Sequence, residues 1–192
     1  MAKRILLAGV LGGFALFMWG GVSHNVLGLG AIGVQYLPQQ QPIMDALRAS
    51  VPQSGLYVFP QADAAGQVPA DKAGGPYGIM IYHSAGAGSV MTGRLVNQCL
   101  LHIAMALFAV FLLSLVSGRT SFISRVGFVT FVGLGVALMT HVEYWNWYGF
   151  PLSYTITSIF IVVVGFLFVG LIAAAIVRPP TQGVTAVPAR AA

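Results

Sequence analysis

Apolar residues gather into four long stretches along the chain, roughly 5–22, 98–116, 126–140 and 152–177, with polar or breaker-rich segments between them. About 20 consecutive apolar residues, as a helix, cover a bilayer core of roughly 30 Å, so each stretch predicts a transmembrane helix. The first stands just after Lys3 and Arg4. A basic start before an apolar core also marks a signal peptide, but this core is long and no clear small-residue cleavage site comes after it, so a retained helix is expected. The second helix is expected to begin outside the bilayer near 89–94. The third has the shortest apolar run. It reaches membrane length only if Thr140, His141 and the next few residues enter the interface, where the rings of Tyr144, Trp145, Trp147 and Tyr148 suit the headgroup level. The fourth starts at Pro151, a residue suited to a helix's first turn, and ends before Arg178-Pro179-Pro180.

The expected fold is an all-α membrane protein, a four-transmembrane-helix bundle with a small extracytoplasmic α+β cap between helices 1 and 2. The order is tip and first helix (1–22), cap (23–94), second helix (95–117), turn (118–125), third helix (126–144), aromatic turn (145–151), fourth helix (152–177) and a flexible tail (178–192). Within the cap, residues 41–47 have the pattern of a short amphipathic helix. Residues 55–60 and 77–82 look like strands bounded by breakers, able to pair as a hairpin. A lone hairpin is marginal in water, so the cap is expected to lie on the helix bundle or on a partner. Residues 61–75 are expected to form a flexible excursion, and 84–89 a turn.

Composition agrees: 57% of residues are hydrophobic and 7% charged, against about 25% charged in soluble domains. The net charge of +5 loses its nucleic-acid look once the charges are placed. Lys3, Arg4, Arg119, Arg125, Arg178 and Arg190 flank the apolar stretches on one side with no acid among them. Arg48, Lys72 and Arg94 share the other side with Asp45, Asp63, Asp71 and Glu143. The positive-inside rule then puts both termini in the cytoplasm and the cap outside, as in a multi-pass protein of a bacterial inner membrane. No basic run with interleaved aromatics points to nucleic acid. The single cysteine, Cys99, is expected to be a small packed residue.

Small residues mark the packing faces, since helices in lipid associate through close approach. Gly9, Gly13 and Gly20 lead at helical spacing to His24. Ala106 lies four residues after His102, and Gly133 and Ala137 lead to His141. Three histidines are thereby expected at one end of the bundle. Several roles stay open. They are interfacial side chains with no cofactor; or His24, His102 and His141, with His83 or Glu143, hold a transition metal; or His102 and His141 hold a haem between them. The run Tyr144, Trp145, Asn146, Trp147 and Tyr148 is either an interfacial belt or an aromatic pocket for a lipid, quinone or other small molecule. No GxSxG, Walker A, dinucleotide-binding or paired-carboxylate motif is present. The primary expectation is an accessory or assembly subunit of a larger membrane complex, without catalysis of its own, in contact with the lipid bilayer and with other membrane subunits or a second copy of itself. The alternatives are a redox or metal protein and a small-molecule binder at the aromatic rim.

Overall fold

The computed structural model describes residues 1–84, 91–116 and 120–177. The protein is mostly helical (70%). Its elements in order are α1 (Ala2–Gly21), a π-helical turn (Val22–Val26), a 3₁₀ turn (Leu29–Ala31), α2 (Gln40–Ser50), β1 (Gly55–Phe59), β2 (Gly78–Tyr82), α3 (Met91–Val116), α4 (Phe122–Ala137), a second π-helical turn (Leu138–Val142), α5 (Glu143–Tyr148) and α6 (Leu152–Ile176). Four helical runs are long and apolar enough to cross a membrane: Ala2–Val26, Met91–Val116, Phe122–Tyr148 and Leu152–Ile176. The expected turn at 84–89, most of it, and the tail at 178–192 lie outside the described residues, as does Arg119.

The long helices pack antiparallel in the spatial order α3, α1, α6, α4. The pairs α1–α3, α1–α6 and α4–α6 are extensive, whereas α3 and α4 meet only loosely. Glycine makes the tight pairs possible. A Cβ on Gly13 would overlap the backbone of Ile103, and one on Gly133 would overlap the ring of Phe166. At Gly170 a Cβ would press on the Val126 carbonyl at 2.9 Å. Ala8, Ala106, Ala109, Val110, Leu113, Val129, Val169, Ala173 and Val177 form the buried core. That core lies toward one end of the bundle, where Arg125 is also buried. Its guanidinium donates to the Val177 carbonyl at 2.6 Å, closing the C-terminal end of α6. The residue expected only to flank a span therefore caps a neighbouring helix, where a cation suits the dipole.

Several boundaries move. The third long helix continues past the expected end at 144 and takes in the supposed aromatic turn. It stops at Gly149 (φ 70°), whose N–H bonds the Trp145 carbonyl at 3.2 Å. Glycine tolerates this left-handed backbone, and so the break falls there rather than at the rings before it. α4 begins at Phe122, with Ser121 capping the Ser124 N–H at 3.1 Å, while α3 is helical from its first described residue, Met91, within the expected 89–94.

The strands pair antiparallel in the register Leu56 to Ile81 and Val58 to Ile79, as the pattern predicts. Tyr82, on the opposite face of β2, is buried. Among the described residues, α2 and the hairpin have no extended contact with the long helices. The contact comes earlier, where Gly33 (φ 79°) lies close against Ser153 and Tyr154 at the start of α6. Tyr57 donates to Gln53 O at 2.8 Å and Ser54 bonds Ser84 at 3.1 Å, so the hairpin is tied to its own flanks instead.

Candidate functional site

At the end of the bundle opposite Arg125, the four long helices part around a cavity of about 690 Å³. His24, His102 and His141 all line it, together with Gln98, Thr140, Asn25 and the ring of Trp19. Its deeper wall is apolar, made by Leu16, Phe17, Met105, Ile161, Val162 and Phe166.

Each histidine reaches the cavity for a local reason. His102 is carried there because Gly13 admits the backbone of residues 102 and 103, and the imidazole then lies edge-on to Phe17 with ring centroids 6.2 Å apart. Gln98, one turn earlier, places its Nε2 2.7 Å from His102 Nε2. The amide donates, so His102 Nε2 accepts and the ring proton sits on Nδ1. That Nδ1 is buried without a hydrogen-bond partner, and so is His141 Nδ1.

His24 and His141 both lie in π-helical turns, at the same end of two parallel helices. A π turn shifts the backbone register and leaves carbonyls without helical partners. In the first turn side chains supply them: His24 Nδ1 lies 2.9 Å and Ser23 Oγ 3.0 Å from Gly20 O, and Asn25 Nδ2 donates to Gly21 O at 3.0 Å. Facing a carbonyl, His24 Nδ1 is the donor of that bond. Gly30 packs against this ring so closely that a Cβ there would overlap it.

Trp19, which sequence reasoning passes over, is a wall of the site. Its Nε1 donates to Ile161 O at 2.8 Å and its ring meets Phe168 edge-on at 5.6 Å. A signal exists, since a tryptophan one residue before the Gly20 packing position has to face a neighbouring helix or lipid.

Other expected site residues stand apart from the cavity. His83 and Glu143 do not line it, nor do Tyr144, Trp145, Asn146, Trp147 and Tyr148. Tyr144 instead touches Tyr148 and Phe150, and Phe150 touches Tyr154, a chain of rings with centroids 5.4–5.7 Å apart along the corner between α5 and α6. Trp147 is 76% exposed. Cys99 is a free thiol, partly buried on α3. Among the described residues, no three His, Cys, Asp or Glu side chains group closely enough, as they are placed, to hold a metal ion, the alternative that His24, His102 and His141 share with His83 or Glu143. The three histidines share a cavity, not a coordination sphere. Comparison with known protein families, curated proteins and solved structures finds no match.

Proposed function

We propose that the chain is a multi-pass membrane protein that binds a largely apolar small molecule in the cavity between its four helices. The cavity carries this proposal. Its volume falls within the ~300–1,000 Å³ of ordinary ligand sites, and its mix of apolar wall with a few converging polar groups is their usual chemistry. Membrane insertion is supported by the bare apolar flanks of the bundle: Leu6, Phe14, Phe108, Phe131 and Ile156 are each more than half exposed. Aqueous surfaces rarely carry contiguous patches of that kind. The arginine end then faces the cytoplasm and the histidine end faces outward, as in a bacterial inner membrane. The test is untargeted mass spectrometry of the full chain extracted in mild detergent. Wild type is expected to retain an apolar compound that a Val162→Phe variant, with the cavity filled, loses. Identical profiles limited to bulk lipid would overturn the proposal.

An accessory role in a larger complex has its own support. Leu56, Val58 and Ile81 form an aliphatic sheet face, each about two-thirds exposed, that the bundle does not cover. The particle mass after extraction from native membranes checks it: a lone chain counts against the role.

A further inference from the structure

We infer that the occupant of the cavity is an uncharged, prenyl-tailed quinone that enters sideways from the bilayer through the seam between α3 and α4. This rests on the binding reading above and names its ligand class.

The route is set by how the helices pack. Three of the four helix–helix seams are closed by glycine or alanine at backbone contact distance. The fourth, between α3 and α4, is loosely packed. The cavity residues on these two helices include Leu101 and Met105 on α3 and Val136 and Thr140 on the α4 run, mostly apolar side chains. A water-borne solute gains nothing from such a seam, whereas a tail already dissolved in lipid crosses it without changing solvent.

The head group is set by the polar atoms. Among the described residues, no Lys, Arg, Asp or Glu lines the cavity. A phosphate head needs a cationic partner there, and an ammonium head an anionic one, because a buried unpaired charge is costly. What the cavity offers is hydrogen bonding from imidazoles at His24, His102 and His141, amides at Gln98 and Asn25, and the Thr140 hydroxyl. These gather at the helix ends, with the apolar wall deeper. A ring bearing carbonyl oxygens fits that end. Phe17, edge-on to His102, and Trp19 provide flat walls for it, and offset or edge contacts between rings add to area burial. A prenol offers its hydroxyl to the same groups but no ring to these walls.

Trp19 makes this measurable. The chain has three tryptophans, and Trp145 and Trp147 are exposed rim residues outside the cavity. The full chain carrying Trp145→Phe and Trp147→Phe, in phosphatidylcholine vesicles, therefore reports from the cavity through Trp19 fluorescence. Decyl-ubiquinone is expected to quench it saturably. The same ring without a tail should need well over about tenfold more added compound, since each methylene moved out of water contributes about 0.8 kcal/mol and so loads the tailed ring into the bilayer from which it enters. Phosphatidylglycerol should not compete, and a C15 prenol should compete weakly. Thr140→Phe, at the seam, should slow the onset of quenching with helical circular dichroism unchanged. In the wild-type chain, Trp19→Phe should abolish the saturable part of the quenching, which keeps the test open if the double variant does not fold. Quenching with no saturable part, or saturable quenching that survives Trp19→Phe, would overturn the quinone assignment. Equal potency with and without the tail, or stronger competition by the prenol, would overturn it too. If mass spectrometry still finds a different retained compound, binding stands and only the ligand class falls; if neither method finds a ligand, both fall.

Discussion

The two ends of the helix bundle are built on opposite terms. At the arginine end, side chains are small or aliphatic: Ala8, Val110, Leu113, Val129, Val169 and Ala173 pack into a buried core, and Arg125, the one buried charge among the described residues, closes on the carbonyl of Val177 just after α6. At the histidine end the same four helices carry imidazoles, an indole and amides, two of them pass through π turns, and the helices part around a cavity. Protein interiors pack to crystal-like density where shapes allow. The contrast teaches that the closed end holds the helices together and leaves the other end free to carry groups that do not satisfy one another.

That difference can be broken or sharpened by substitution, each change being monitored by denaturant unfolding in detergent. The largest effect is expected at Gly13→Val, whose side chain would collide with the Ile103 backbone. It should destabilise by about 3 kcal/mol, the upper range for overpacking, and pull His102 out of the cavity. Gly135→Val is its control: nothing lies within 4 Å of a Cβ there, so unfolding should barely shift. Arg125→Met should come next, at about 2 kcal/mol, because the buried Val177 carbonyl loses its partner. His102→Leu should do the reverse. It removes a buried nitrogen that has no partner, so stability should hold or rise by up to about 1 kcal/mol while retained ligand is lost. A clear loss of stability would mean that His102 is an ordinary core residue. The smallest effect is expected for Gly30→Ala, which should leave the unfolding midpoint nearly unchanged yet move the ¹³C-resolved NMR signals of the His24 ring.

Much of the helical framework is legible in the sequence because its signals are local. Length of apolar run, proline at 151 and small residues at four-residue steps each act within one helix. The alignment of Gly20, Ala106 and Ala137 with the three histidines is legible too, since residues four apart share a helix face. The misleading signals are those of longer reach. The aromatic run resembles a turn and so suggests too early an end for the third helix, while the residue able to stop it is Gly149. Arg125 has the charge and position of a topology marker, and nothing nearby in sequence indicates a carbonyl 52 positions away. A hairpin that needs a floor suggests a cap resting on the bundle or on a partner, and nothing local in the sequence says which: its aliphatic face is bare while Tyr82 on the other face is buried.

The sequence by itself determined four helices long and apolar enough to span a bilayer, a hairpin between the first two, and three imidazoles on small-residue faces. Periodicity and breaker residues act over one or two turns, and each of these features is of that range. Only the tertiary structure decided which helices touch, that the seam between α3 and α4 stays loose, that Trp19 rather than the aromatic run walls the cavity, and that the three histidines line one space. Those outcomes depend on which surfaces meet at close range, and a glycine's missing Cβ has no meaning until a partner's backbone lies against it.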